Sequence, residues 1–373
     1  MDTIFDLPFT LVSFLITLSL VVFVHEFGHF FVARKAGVKC ESFSIGFGPE
    51  LFGWNDKHGT RWKFSLIPLG GYVKMFGEGE TMQAVEGGAE TPPPARELTP
   101  AEKAVSFKHK TLGQRAAIVF AGPAANILFA ILVFWGVFVV AGRPVTEPVV
   151  GEVVKDSAAA QAGFMAGDRI LSVDGAAIDR FEDIQRLVPM GHGLPMAITV
   201  LRGREEIALN ALPRVIEDRD VFGNVTKRAI LGIAASGERR VEKPGLVEAL
   251  GWSVGQTYTV VDSTVVAIGQ MIKGLRGTED LGGPIRIAKY SGQAAKSGLV
   301  NFVIFMAILS VNLGFINLLP VPLLDGGHLL FYAIEAVRGR PLPEQVQEWG
   351  LRVGLALVLF LMVFVTWNDI VQL

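Results

Sequence analysis

One pentapeptide holds the residues best suited to chemistry: His25-Glu26-Phe27-Gly28-His29 reads HExxH. On an α-helix, positions i and i+4 share a face, so both imidazoles can reach a single metal ion. The intervening glutamate then lies where it can take a proton from an attacking water. A zinc hydrolase site of this kind needs a third protein ligand and one open position. Asp325, in Asp325-Gly326-Gly327-His328, is the natural oxygen donor, and His328 is a rival. His58, His109 and His192 fall in loops and read as surface histidines. Cys40 is the one cysteine in the sequence, which excludes an intrachain disulfide and any CxxC site.

The motif directly continues an apolar stretch, and an ionisable residue placed in a bilayer is costly enough to need a purpose. Leu7–Val24, Ala116–Gly142 and Leu299–Leu324 carry no charge, and Trp349–Trp367 carries only Arg352. A helix of about 20 apolar residues crosses a bilayer core, so four transmembrane helices are expected. Composition agrees, with 50% of residues apolar, 19% charged and a mean hydropathy of +0.43. The net charge of −2 offers no basic surface for nucleic acid. Asp2 and Asp6 precede the first stretch and no small-x-small site follows it, so it reads as a retained span rather than a leader.

Basic residues set the expected orientation. Arg34, Lys35 and Lys39 follow the first span, and Lys103, Lys108, Lys110 and Arg115 precede the second. The loop between them is therefore cytoplasmic, and both termini and residues 143–298 lie outside. Counting 1.5 Å per residue from Leu7 puts His25 about 27 Å along its helix, near the cytoplasmic face. Pro320 and Pro322 break the third span at that face. Asp325 thus arrives at the same depth from the opposite direction. Leu246–Ile272 reads as an amphipathic helix on the outer face, with its entry into the membrane left open.

Within the cytoplasmic loop, Glu41–Met75 alternates strand-like runs with glycine and reads as a β-hairpin, and Gly77–Glu102 as a flexible linker. Outside, a strand at Val149–Val154, a helical turn at Ser157–Phe164, a strand into Asp174-Gly175, a helix at Phe181–Val188 and a strand at Ala197–Leu201 succeed one another. This order, with SAAAQAGFMAGDRILSVDG, resembles a PDZ domain of the bacterial protease-associated type. The resemblance implies a peptide groove between the Val149–Val154 strand and the Phe181–Val188 helix.

HEFGH, AGPAAN (Ala121–Asn126), the PDZ-like unit and NLLPVPLLDGGH (Asn317–His328) together resemble the site-2 protease family of intramembrane zinc metalloproteases. GFGP (Gly46–Pro49), IPLGGYVKM (Ile67–Met75) and LGGPIRIAK (Leu281–Lys289) resemble its regulator of sigma-E protease branch. The resemblance implies zinc held by His25, His29 and Asp325, with Glu26 as catalytic base. It implies that Asn126, Asn317 and Pro320 support the substrate or transition state, and that the hairpin, through Gly46, Phe47 and Gly48, offers an edge strand to an unwound substrate. Substrates would be single-span membrane proteins such as anti-sigma factors already cut outside, and remnant signal peptides, in a bacterial inner membrane. A single PDZ unit departs from relatives that have two.

The expected protein is a polytopic α-helical membrane protein with four transmembrane helices, a membrane-associated β-hairpin and a periplasmic PDZ α/β domain. Its segments are 1–36 (first span with HExxH), 37–115 (cytoplasmic loop), 116–142 (second span), 143–216 (PDZ domain), 217–298 (linker and amphipathic helix), 299–324 (third span), 325–348 (loop with the aspartate) and 349–373 (fourth span and tail). A zinc transporter would need a chain of polar residues across the spans, and none is visible outside the motifs. A tethered scaffold would leave HExxH at the end of a span unexplained.

Overall fold

A computed structural model of the chain describes residues 3–77, 98–190, 194–219, 225–273 and 282–371. Most of the expected linker at Gly77–Glu102, His192 and Leu281 lie outside the described residues. The chain forms two compact units, one of residues 1–136, 250–264 and 277–373, the other of residues 137–249 and 265–276.

The first unit begins with α1 (Thr3–Lys35), a single helix that carries HExxH in its C-terminal half. After a left-handed turn at Gly37, β1 (Cys40–Asn55) and β2 (Arg61–Met75) follow. Their pairing is doubled: Ser42, Phe43, Ser44 and Ile45 each have one partner in Arg61–Phe64 and another in Gly71–Lys74. The start of β1 is thus enclosed between two stretches of β2. Phe43 stacks on Trp62 at 4.4 Å, and Trp62 on Trp54 at 5.9 Å. Phe30, Ala33, Phe43, Val73, Phe107 and Ile118 share one core beneath the sheet. Arg34 donates to Asp56 at 2.8 Å, tying the end of α1 to the turn between the strands. Burial pushes the Asp56 carboxyl up, but the N–H groups of Thr60 and His58, the Trp62 indole and Arg34 together hold it below the usual carboxylate range. A short helix, α2 (Pro100–Val105), leads toward α3 (Leu112–Ala141). Helices in lipid gain little from apolar burial, so small residues mark where they touch. Accordingly Gly28 of α1 rests on the backbone of Ala121, and a Cβ there would come 2.7 Å from Ala125 Cβ.

The second unit contains β3 (Arg143–Thr146), β4 (Val150–Val153), α4 (Ala158–Ala162), β5 (Arg169–Val173), β6 (Ala176–Ala177), α5 (Phe181–Met190), β7 (Met196–Arg202), β8 (Glu205–Ala211), β9 (Arg214–Arg219), β10 (Val225–Ile230), β11 (Ile233–Ala235) and β12 (Arg239–Glu242). An antiparallel sheet in the order β6-β5-β7-β8 packs its Ile170, Val173, Ile198 and Val200 against Phe181, Ile184 and Val188 of α5. Asp168 is fully buried and takes both oxygens to Arg202 at 2.8 Å each. This hydrogen-bonded guanidinium holds the Asp168 carboxyl below its ordinary range.

One expectation is corrected here. The unit does not stop at residue 216, because β11 pairs with β4, β12 pairs with β3, and Leu231 joins the core. β11 lines one edge of β4, Val150–Val153, and an isolated bridge joins Val149 to Arg169 on the other side.

α6 (Leu246–Ile272) has the bounds read from the sequence. It buries Ser253 and Thr257, and Thr264 donates to Asn312 at 2.8 Å. Next come α7 (Pro284–Lys296), α8 (Leu299–Asn317), α9 (Asp325–Arg338) and α10 (Glu344–Val371). Among the described residues, stretches of α1, α3, α8 and α10 are long and apolar enough to cross a membrane. Asp369 of α10 accepts from the N–H groups of Gly283 and Arg286 at 3.0 Å each, satisfying the start of α7. α8 ends at Asn317 rather than at Leu324, and residues 318–324 form an irregular connector before α9. Arg115 of α3 pairs with Glu335 at 2.6 Å and lies over the Tyr332 ring, anchoring α9 to α3.

Candidate active site

Helical spacing puts His25 and His29 on one face of α1, and both are buried. Asp325, the first residue of α9, meets them there. His25 Nε2 and His29 Nε2 are 3.2 Å apart, and Asp325 Oδ2 lies 3.2 Å from the first and 3.5 Å from the second. A tetrahedron's edge is about 1.63 times its centre-to-corner length, so zinc–nitrogen bonds of ~2.0–2.1 Å require donor atoms ~3.3–3.4 Å apart. The three atoms are therefore spaced as three corners of a tetrahedral zinc site would be. Asp325 Oδ2 is buried yet accepts no aligned hydrogen bond from either ring. Two lone-pair nitrogens and a carboxylate oxygen turned on one another fit a shared cation better than a shared proton. His328 is not among the three atoms that converge; it packs edge-on against Phe331.

α3 holds the far sides of the two rings, and α8 approaches His25 at Nε2. His29 Nδ1 lies 2.9 Å from the Ile118 carbonyl, an acceptor that fixes the proton on Nδ1 and leaves Nε2 a lone pair. His25 Nδ1 faces the Asn126 amide at 3.3 Å, and His25 Nε2 lies 3.4 Å from Asn317 Nδ2. Gly122 has no side chain where the His29 ring passes, and a Cβ there would fall on the imidazole. Gly326 and Gly327 let the connector fold back on the start of α9, since a Cβ on either would strike the carbonyls of Leu318, Leu319 or Val321. Leu323, with φ +96°, is strained in the left-handed region two residues before Asp325.

Glu26, on the next position of α1, accepts from the backbone N–H of Val73. Gly71 of β2 lies beside it, for a Cβ there would be 3.2 Å from Glu26 Cγ and 3.0 Å from Val22 Cγ1. The stretch of sheet that reaches the site is therefore Gly71–Val73. Gly46, Phe47 and Gly48 lie where β1 changes partners, with both glycines left-handed, Phe47 paired to Ile67 and stacked on Tyr72 at 6.0 Å. Asn317 lies at the site, half-buried, and Pro320 is exposed in the connector. Asn126 is completely buried. Sequence reasoning missed Gly71, Val73, Ile118 and Gly122; the paired glycines of Gly70-Gly71 and the glycine of AGPAAN were the available signals.

Residues 13–361 match the family described as Peptidase family M50. A protein of Rhizobium meliloti assigned as a zinc metalloprotease is 45% identical over 370 residues, 98% of this chain and 97% of that protein. The metalloprotease MmpA of Caulobacter vibrioides is 39% identical over 378 residues, 96% of this chain and 95% of its own length. Among solved structures, the PDZ domain of an SdrC-like protein from Listeria monocytogenes aligns with 23% of this chain and 84% of that domain, at 22% identity and a TM-score of 0.19.

Proposed function

Because the chain belongs to peptidase family M50, the site-2 protease family of zinc metalloproteases, we propose that it hydrolyses peptide bonds within or near transmembrane segments of single-span membrane proteins, with zinc held by His25, His29 and Asp325. The observation that carries this reading is the convergence of three donor atoms, from opposite ends of two helices, at 3.2 to 3.5 Å from one another.

Bound zinc supplies a Lewis acid that polarises the scissile carbonyl and makes the attacking water acidic near neutral pH. Glu26 takes the water's proton and returns it to the leaving amine. The Asn317 amide, beside His25, donates to the carbonyl oxygen as charge grows there. A helical peptide bond is shielded, so the substrate must unwind first, and each unpaired backbone group in lipid costs several kcal/mol. The Gly71–Val73 stretch beside Glu26 offers an edge that satisfies those groups at the point of attack. Leu51, Phe52, Trp54, Phe64, Leu66 and Ile67 are exposed on the sheet, which supports a membrane-associated role for it.

The positive-inside bias favours a bacterial inner-membrane protein with periplasmic termini and a cytoplasm-facing site. In this reading the second unit is a periplasmic PDZ domain that binds a peptide and controls access. Substrates are anti-sigma factors trimmed outside and remnant signal peptides. Purified full-length chain should hold one zinc and cut a single-span substrate in bilayers. Zinc-loaded chain that cuts nothing but moves zinc into vesicles would replace this reading with that of a transporter.

A further inference from the structure

We propose that Asn126 is the positioning residue for His25: its side-chain carbonyl accepts the Nδ1–H of that imidazole and keeps the Nε2 lone pair free for the metal. The inference rests on the ligand set proposed above.

Three residues four apart on α3 face the two rings. The Ile118 carbonyl accepts from His29 Nδ1, Gly122 gives the His29 ring its space, and Asn126 faces His25 Nδ1. The Asn126 atom nearest the ring is Nδ2, at 3.3 Å, while Oδ1 is buried without a partner. A half-turn of the amide exchanges these atoms without altering its shape. If the nitrogen faces the ring, Nδ1 must accept, and the ring proton moves to Nε2. That proton would fill the space shared with His29 Nε2 and Asp325 Oδ2. If the oxygen faces the ring, Nδ1–H donates and Nε2 carries a lone pair, as in His29. One amide group stays unpaired in either orientation, so metal ligation decides between them.

Burial removes the rival role. Asn126 is 0% exposed, its backbone carbonyl accepts from Ser310 at 3.0 Å, and Gly314 of α8 closes over its Cβ. A substrate cannot reach a side chain enclosed in this way. Asn126 therefore acts through His25 rather than on the peptide, unlike the role the family resemblance implies for it.

The test uses full-length, zinc-loaded chain in detergent, titrated with a chelator while retained zinc is measured. Asn126→Leu removes the acceptor and should weaken zinc binding about 10- to 100-fold. Asn126→Asp keeps an acceptor for Nδ1–H and should bind zinc at least as tightly as the native chain. It should also shift the visible bands of the cobalt-substituted protein, because a carboxylate partner makes the imidazole a stronger donor. Native zinc affinity in Asn126→Leu, weakening in Asn126→Asp comparable to that of Leu, or an unchanged cobalt spectrum in Asn126→Asp would each overturn the assignment. The cobalt spectrum decides even if Asn126→Leu does not fold. His25→Ala separates the two levels. If it retains zinc, the ligand set itself falls. If it loses zinc while Asn126→Leu keeps it, only the role of Asn126 falls.

Discussion

Gly122→Ala adds one methyl group, and the structure says where it goes. The new carbon would start 2.6 Å from His29 Cε1 and 2.8 Å from Cδ2, with Nε2 closer still. Contacts between carbon atoms settle near ~3.5 Å, so the Cε1 contact alone makes the ring or α1 retreat by about 0.9 Å, and the Nε2 contact asks for more. Metal–ligand distances tolerate only about 0.2 Å, so His29 cannot move this far and remain a good ligand. The strain of overpacking, about 1–3 kcal/mol, falls on the metal site. We expect zinc affinity to drop about 10- to 100-fold, or ~1.4–2.7 kcal/mol, with cleavage falling in parallel at limiting zinc. Gly136→Ala on the same helix is the control, because a Cβ there meets nothing within 4 Å. Both variants would be loaded with zinc, challenged with graded chelator and assayed for retained metal. Equal retention by Gly122→Ala and Gly136→Ala would refute the packing argument.

Other expectations follow from the same geometry. Asp325→Ala should lower zinc content in metal analysis, whereas His328→Ala should keep it; the reverse pattern would make His328 the third ligand. Arg202→Ala should destabilise the second unit, read as faster hydrogen exchange across residues 137–249, because the Asp168 carboxylate is left buried without its partner. The folded-state pKa of Asp168 lies below its unfolded value. Its stabilisation is therefore full above about pH 4 and declines as pH falls through the lower folded pKa, and this acid dependence should vanish in Asp168→Asn. Cysteines introduced at Asp174 and Glu90 should label from opposite sides of the membrane; labelling of both from one side would reject the orientation.

The HExxH pentapeptide was legible because its spacing is local: two histidines and a glutamate on adjacent turns need only a helix. Asp325 was legible for a different reason, since charge-free runs and prolines put it at the depth of His25. The close approaches were not legible. That Gly122 lies under His29, or Gly71 beside Glu26, depends on how helices and sheet cross, and an isolated glycine carries no such address. The doubled pairing of β1 was hidden because Glu41–Met75 has too little strict alternation to set its register. The expected end of the second unit at residue 216 falls short because β4 and β3 find partners 80 to 99 residues downstream, in β11 and β12, a separation that local patterns do not report.

The central claim joins a zinc site to a cut inside a membrane segment, and one paired measurement tests it most directly. Wild-type chain and Glu26→Gln, each confirmed to carry one zinc, would be incubated in bilayers with a single-span substrate, and the products mapped by mass spectrometry. Glu26→Gln keeps the size and hydrogen bonding of the side chain but cannot take the water's proton, which costs about 10²- to 10⁴-fold. We expect wild-type protein to release fragments ending within or beside the substrate's span, and zinc-loaded Glu26→Gln to release none on the same time scale. Cleavage by Glu26→Gln at the wild-type rate, or wild-type cuts confined to the substrate's water-exposed regions, would contradict the account.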